Sequence, residues 1–435
     1  GATLNQDGIL YVKAEKIGKD TFLAHIIKLV EEAQGTKVPI QKLADKITNI
    51  FVPVILILAV LSFFGWWIFS GVLSKAIGVA ISVLVIACPC SLGLAVPIAL
   101  MVGSGIGAKN GILIRKGEAI QTMKEVKIII FDKTGTITKG KPEVTDIYSK
   151  AKKNYLLEIA GSLEKLSEHP IARAVVEKAG LKKYKQVKSF KVVRGRGVEG
   201  IIGNKKILVG NRVLMNESKI NLENFEKTIE KFENNGKTVM IVSENKEVLG
   251  VIAVADAIKE DSTQAIGILN NAGYRTVMIT GDNERTARAI AKQAGIKEVI
   301  ASVLPEDKAR KVAELQNELQ NKGFVAFVGD GINDAPALKQ SNVGIAMGSG
   351  TDIAIEAGDL VLAKSSLIGV VQGIRLSKAT FRKIKQNLFW AFAYNVVAIP
   401  LAVLGLLHPI IAEIAMALSS ITVVTNTNLL RGVRI

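Results

Sequence analysis

Four stretches of this chain contain no Asp, Glu, Lys or Arg: residues 47–74, 76–108, 386–412 and 414–430. A helix needs roughly 20 predominantly apolar residues to cross the hydrocarbon core of a bilayer, so the first three are long enough and the fourth is near the lower limit. Two pairs of transmembrane helices are therefore expected, enclosing a polar block from about 109 to 385. With 435 residues and only 2 Cys, the chain is too long for one ordinary domain and too poor in cysteine for a disulfide scaffold. It opens Gly1-Ala2-Thr3 without an initiator Met, and its first apolar run begins only at residue 47. No N-terminal signal peptide is expected, and the sequence reads as part of a longer protein.

The basic residues set the orientation. Lys37, Lys42 and Lys46 precede the first run, and Lys109, Arg115 and Lys116 follow the second. Arg375, Lys378, Arg382, Lys383 and Lys385 precede the third, and Arg431 and Arg434 follow the fourth. By the bias of Lys and Arg towards the cytoplasmic side, these four ends and the polar block are expected on the cytoplasmic side of a cell membrane, which the chain crosses several times. The opposite turns, near Ser70–Lys75 and His408–Glu413, are short. The net charge of +17 fits attraction to anionic headgroups. A nucleic-acid reading shares that charge but finds no binding motif and no clustered aromatics, so no nucleic-acid partner is expected.

Within the polar block, the apolar run from Lys127 to Asp132 reads as a buried strand ending in a carboxylate, followed by Lys133-Thr134-Gly135-Thr136. The pattern repeats where Tyr274 to Ile279 runs into Thr280-Gly281-Asp282-Asn283. It repeats again where Phe324 to Val328 runs into Gly329-Asp330-Gly331-Ile332-Asn333-Asp334. Helical stretches around 285–294 and 306–320 supply the crossovers of a parallel sheet, whose ligands sit at the carboxyl ends of its strands. A lone strand-end Asp is commonly a turn former or a helix cap. Three converging ends make an oxygen-rich cluster suited to Mg²⁺, with one carboxylate left to attack phosphorus and Lys308 to neutralise the transferring phosphoryl oxygens.

These three motifs together resemble the P-type ATPases, ion pumps that pass through an aspartyl phosphate. The resemblance implies that Asp132 is phosphorylated, and that Asp132, Asp330 and the Thr134 carbonyl bind Mg²⁺. It implies that Thr280 and Lys308 contact the phosphoryl group, with Lys133, Gly281, Asp282, Asn333 and Asp334 completing the site. No Gly-x-x-x-x-Gly-Lys-Ser/Thr loop occurs, which fits an ATPase that does not use one.

The segment from about 144 to 250 separates Asp132 from its partners and is expected to be an inserted domain. It holds Ser167-Glu168-His169-Pro170 and Gly195-Arg196-Gly197-Val198-Glu199-Gly200. The latter matches Gly-x-Gly-x-x-Gly, but Ile201 to Val209 around Gly203-Asn204 reads as a hairpin rather than a helix, which argues against a Rossmann site. His169 before Pro170 reads equally as a helix-entry residue. Ser-Glu-His-Pro resembles the ATP-binding domain of the heavy-metal subgroup, which implies that Glu164, His169, Gly195, Gly197 and Asn211 surround the adenine and ribose of ATP.

Cys88-Pro89-Cys90 lies in the second apolar run, where Pro89 should unwind the helix and expose carbonyls and thiols to the protein interior. Two sulfur ligands at such a break suit Cu(I), Ag(I) or Zn(II); both cysteines also read as small buried apolar residues beside a kink. A disulfide between residues so close in sequence is not expected. Tyr394 and Asn395 lie in the third run, and Met416 and Ser420, next to Ser419, in the fourth. Each alone reads as interhelical packing or hydrogen bonding. Together they resemble the copper-exporting subgroup, which implies one Cu(I) site at Cys88, Cys90 and Tyr394 and another at Asn395, Met416 and Ser420. The zinc and cadmium branch shares Cys-Pro-Cys but carries a Lys and an Asp in its last two membrane helices, and neither run here contains either.

The expected fold is thus a multidomain membrane protein. A helical transmembrane bundle joins an α/β parallel-sheet phosphorylation domain of haloacid-dehalogenase type, which carries an inserted α+β nucleotide-binding domain. The divisions are a remnant of an actuator domain and its exit helix over 1–35, two membrane helices over 36–108, the phosphorylation domain over 109–143 and 251–378, the nucleotide-binding domain over 144–250, and two membrane helices over 379–435. The actuator's Thr-Gly-Glu is absent, and further membrane helices are expected upstream. The resemblance implies ATP-driven export of Cu(I) or Ag(I) from the cytosol, the metal delivered by a soluble copper carrier. The alternatives are a zinc or cadmium pump and, from another class, a membrane-anchored phosphatase.

Overall fold

The computed structural model describes residues 38–435, apart from positions 89, 151, 194, 321 and 434. The expected actuator remnant over 1–35 lies outside the described residues, as do Lys37, Pro89 and Arg434. The described chain divides into two compact units, one of residues 38–118 with Thr380–Val433, the other Ala119–Ala379.

The first unit is helical: α1 (Pro39–Ser70), α2 (Leu73–Ile86), α3 (Cys90–Lys109), the later part of α11 (Ile368–Val403) and α12 (Pro409–Asn428). Four spans, with α2 and α3 counted together, are long and apolar enough to cross a membrane. Their shared core pairs Ile55, Val83 and Ile86 with Ala59, Ala398, Ala402 and Ala412, small residues that let helices approach closely where lipid supplies no hydrophobic drive. Ile68, Phe69 and Val396 remain exposed on the outer faces.

Two boundaries differ from the charge pattern. The third span stops at Val403, ahead of the turn expected at His408–Glu413, and Glu413 lies inside α12 rather than in that turn. Local backbone chemistry decides this. Gly405 takes a left-handed φ of 71° against Trp66, where a Cβ would lie 2.7 Å from the ring. The Trp66 indole donates to the Val403 carbonyl at 2.8 Å and Ser82 Oγ to the Leu407 carbonyl at 2.8 Å. His408 then caps α12, its Nδ1 accepting from the Ile410 N–H, with Pro409 in the first turn.

The second unit holds two sheets. In the first, β1 (Val126–Asp132), β8 (Arg275–Ile279), β9 (Glu298–Ile300), β10 (Phe324–Gly329), β11 (Val343–Met347) and β12 (Leu360–Leu362) lie in the order β12-β11-β10-β1-β8-β9, every pairing parallel. Crossovers run through α8 (Ser262–Asn271), α9 (Glu284–Ala294) and α10 (Lys308–Glu318). Ile128, Ile130, Val277, Ile279, Val325 and Phe327 form its core, the unbroken apolar runs required of strands covered on both faces.

The second sheet is antiparallel and lies between β1 and β8 in sequence. Its strands are β2 (Glu143–Ser149), β3 (Val187–Val193), β4 (Gly197–Ile202), β5 (Lys205–Gly210), β6 (Thr238–Glu244) and β7 (Glu247–Ala255), in the order β2-β7-β6-β5-β4-β3. Alternation assigns its faces. Ile207, Val209 and Val242 pack with α4 (Lys153–Glu164) and α5 (Pro170–Ala179), whereas Leu208, Val239 and Ile241 pack with α6 (Arg212–Glu217) and α7 (Glu223–Asn234).

Candidate functional site

Because β1, β8 and β10 are adjacent and parallel, their carboxyl ends share one edge. The register sets Asp132 opposite Ile279 and Phe131 opposite Val328, so Thr280 and Asp330 flank Asp132. Chain order reverses on either side of β1, which makes this edge a topological switch point. Beyond Asp132, Thr134 (φ −76°, ψ 126°) and Gly135 (φ 72°, ψ −13°) have the angles of a type II turn. Only glycine fits the second position: a Cβ there would lie 1.7 Å from Asp330 Oδ2.

Oxygens of Asp132, Asp330 and Asp334 lie within 4.8 Å of one another. Among the described residues no other group of three or more His, Cys, Asp or Glu is so placed. Lys308, at the start of α10, donates to Asp132 Oδ1 at 2.6 Å and to Asp334 Oδ1 at 2.7 Å, all three side chains being buried. Asp334 Oδ2 accepts from the N–H groups of Asp330 and Gly331. Burial and the Asp334 carboxylate push Asp132 up to about 7 against the pull of Lys308. Burial and Asp334 likewise push Asp330 up to about 6. Burial opposes the Lys308 ammonium, but Asp132 and Asp334 overcome it and hold its pKa above the usual lysine range.

Thr280 is buried beside this cluster, its Oγ1 accepting from the Asp282 N–H at 3.1 Å, with Gly281 between them. Asp282 is engaged twice: Lys133 Nζ donates to it at 2.7 Å and Thr238 Oγ1 at 3.3 Å. Asn333 is exposed.

In the insert, Glu164 ends α4 almost fully buried, and burial alone pushes it up to about 7. His169 caps α5, its Nδ1 accepting from the Ile171 N–H at 3.3 Å. Its pKa is lowered by burial and by the nearby Lys133 charge, against Asp282. This places the helix-entry histidine near the Lys133–Asp282 pair as well. Asn211 caps α6 and donates through Nδ2 to the Gly195 carbonyl at 3.1 Å. Gly197 packs on Gly210, where a Cβ would meet the Val209 carbonyl at 2.2 Å. The Gly-x-Gly-x-x-Gly run opens strand β4, and Gly203-Asn204 form a two-residue hairpin into β5, so the hairpin expectation holds.

In the membrane unit the helix breaks after Ile86 and resumes at Cys90. The expectation of no disulfide is overturned: Cys88 and Cys90 are bonded to each other. Their Cα atoms lie 5.5 Å apart, within the span a disulfide bridges. Tyr394 OH lies 3.3 Å from Thr422 Oγ1, Asn395 is buried, and Met416 and Ser420 are half-buried. It is Ser419, beside Ser420, that reaches α3, donating to Ser91 Oγ at 3.0 Å.

Residues 126–342 match the haloacid dehalogenase-like hydrolase family. Over its whole length the chain is 49% identical to a copper-exporting P-type ATPase of Staphylococcus saprophyticus and 47% identical to that of Staphylococcus aureus (strain Newman), covering 54% of each. It spans about half the length of these curated relatives. The crystal structure of a zinc-transporting PIB-type ATPase in its E2·Pi state superposes with a TM-score of 0.70 at 35% identity, over 95% of this chain and 68% of that one. The chain belongs to the P-type ATPase family.

For a P-type ATPase, the Asp132, Asp330 and Asp334 cluster is an all-oxygen donor set, the chemistry that Mg²⁺ requires. Several polar groups of this P-type ATPase escape sequence reading. Asn387, fully buried, donates to the Ala95 carbonyl at 3.1 Å and Thr427 Oγ1 at 2.7 Å, and accepts from Asn426 at 2.8 Å. Lys383 donates to Asn426 in turn. An Asn or Thr inside an apolar run carries no spacing signal, and only the burial of its partners identifies it.

Proposed function

We propose that the protein is the catalytic and transport portion of an ATP-driven Cu(I) exporter working through an aspartyl phosphate. The observation that carries this reading is the convergence of Asp132, Asp330 and Asp334 around Lys308 in a chain 49% identical to a copper-exporting relative. Asp132 Oδ attacks the γ-phosphorus of ATP, the bond to the bridging oxygen breaks, and ADP leaves. Asp330, Asp132 and the Thr134 carbonyl hold Mg²⁺, which supplies charge neutralisation for the phosphoryl oxygens. Lys308 and Thr280 donate to the same oxygens, with Gly281, Asp334 and Asn333 shaping the pocket and Lys133 and Asp282 beside it. Glu164, His169, Gly195, Gly197 and Asn211 receive adenine and ribose. A water then displaces phosphate from Asp132. Phosphorylated and free states differ in metal affinity, which couples the chemistry to transport.

The Cu(I) ligands in this reading are Cys88, Cys90 and Tyr394, then Asn395, Met416 and Ser420. Ligation by both sulfurs requires thiolates, so the Cys88–Cys90 bond is first reduced by two equivalents of a thiol. A soluble carrier would deliver the cytosolic metal. Zn(II) is the second reading, favoured by the zinc-transporting structural relative; the membrane thioether and neutral oxygens argue for a monovalent soft ion. ATP hydrolysis measured under reducing conditions with Cu(I) or Zn(II) tests it. Stimulation by Cu(I), abolished in Asp132→Asn and in Cys88→Ser, is expected. Loss in Asp132→Asn alone, with no metal dependence, would identify a membrane-anchored phosphatase instead.

A further inference from the structure

A further lysine, Lys259, stands beside the Asp132 site. Lys259 directs its ammonium at two main-chain carbonyls, that of Gly135 at 2.6 Å and that of Ser365 at 3.0 Å. The base of this side chain is fixed. Its N–H donates to the Ile137 carbonyl, Ile258 bridges Thr138, and the Lys139 N–H donates to the Ala257 carbonyl. Asp256, three residues earlier, accepts from Thr138 Oγ1 at 2.6 Å and from the N–H groups of Gly140 and Lys141. Asp261, two residues later, accepts from Ser366 Oγ at 2.5 Å and from the N–H of Ile368, the first residue of α11. Residues 256–261 therefore grip the chain that follows Asp132 on one side and the start of α11 on the other.

Gly135 is the second corner of the type II turn whose first corner is Thr134. In such a turn the peptide between the corners can flip, and what fixes it is the pattern of bonds on either side. A charged donor on the Gly135 carbonyl holds that side, and ammonium-to-carbonyl bonds are stronger than neutral ones.

We propose that Lys259 is a positioning residue for phosphorylation: by clamping the Gly135 carbonyl against Ser365 it fixes the Thr134–Gly135 turn and with it the oxygen donor that Thr134 offers to Mg²⁺. This rests on the aspartyl-phosphate reading above. Lys259 touches neither the nucleotide nor the reacting atoms in this account, so it acts on the metal requirement of the reaction rather than on ATP binding.

The test measures phosphoenzyme formation against Mg²⁺ and, separately, against ATP in wild type, Lys259→Met and Lys259→Arg. Mn²⁺ binding to the nucleotide-free full chain, followed by its electron paramagnetic resonance signal, gives a readout independent of turnover. Lys259→Met should need about 10-fold more Mg²⁺ for half-maximal phosphorylation and bind Mn²⁺ correspondingly more weakly. Its ATP dependence should change less than about 2-fold, and Lys259→Arg, which keeps a charged donor, should recover most of the loss. Equal Mg²⁺ and Mn²⁺ dependence in wild type and Lys259→Met would overturn the proposal, as would an equal defect in the Met and Arg variants. If Lys259→Met does not fold, Lys259→Arg against Lys259→Gln decides by the same criterion. A wild type that forms no phosphoenzyme while binding Mn²⁺ would instead sink the underlying reading.

Discussion

The Lys308 ammonium lies 2.6 Å from Asp132 Oδ1, and its other bond, to Asp334, ties the carboxylate proposed to attack to a second, neighbouring carboxylate. Two buried like charges sharing one cation are held together by that cation. Lys308→Met should therefore lower stability above pH 7 by about 3–5 kcal/mol, the usual cost of stripping a buried ion pair of one partner. Phosphoenzyme formation should fall by about 100-fold or more with the loss of its donor to the phosphoryl oxygens. Thermal unfolding and labelling from γ-labelled ATP check the two effects separately.

The raised pKa values of Asp132, to about 7, and of Asp330, to about 6, give a pH dependence. A raised carboxyl is neutral below its pKa, and both nucleophilic attack and metal ligation need the ionised form. At low fixed Mg²⁺ the initial rate of phosphorylation should fall as pH drops from 8 to 6. Higher Mg²⁺ favours the carboxylates and should move that fall to lower pH. A rate profile indifferent to Mg²⁺ would contradict this linkage.

Glu164 titrates apart from the cluster, pushed from 4.5 to about 7 by burial alone. Its folded pKa lies above its unfolded one, so its ionisation costs stability, beginning as pH rises past 4.5 and complete above about 7. Glu164→Gln should match wild type near pH 4.5 and exceed it at pH 8, by up to about 3 kcal/mol at 1.36 kcal/mol per pKa unit. If Glu164 borders the adenine as proposed, nucleotide affinity in wild type should rise from pH 6 to pH 8, as the carboxylate ionises and becomes a pure acceptor. Calorimetric titration of both variants should find that slope only in wild type.

Gly135 cannot take a side chain without displacing Asp330. Gly135→Ala should leave the insert folded, as read by near-UV circular dichroism of the unit's tyrosines. Phosphoenzyme should fall by about 100-fold or more, since misplacement by an ångström costs that much in an aligned site. Appreciable labelling of this variant would show that the turn is not rigid.

Much of the phosphorylation site is legible in sequence because each motif sits at the end of an apolar strand. Once β1, β8 and β10 are parallel neighbours, Asp132, Thr280 and Asp330 share an edge with no further information required. The hairpin at Gly203-Asn204 is equally local. The Lys133–Asp282 pair and the Lys259 clamp depend on how distant loops pack, and no spacing rule reaches them. The Cys88–Cys90 bond runs against the expectation that residues so close in sequence are not bridged, although their Cα separation of 5.5 Å lies within disulfide range. The turn after the third span begins earlier than the charge pattern suggests, because Gly405 and Trp66 end the helix and no charge marks the spot.

The most direct measurement is acid-stable, hydroxylamine-labile labelling of the reduced protein from γ-labelled ATP, with Cu(I) or Zn(II) added and Asp132→Asn as the blank. Labelling should rise with Cu(I), should not rise with Zn(II), and should be absent from Asp132→Asn. Labelling that persists in Asp132→Asn would contradict the covalent role of Asp132, and labelling driven by Zn(II) would contradict the copper assignment of Asn395, Met416 and Ser420.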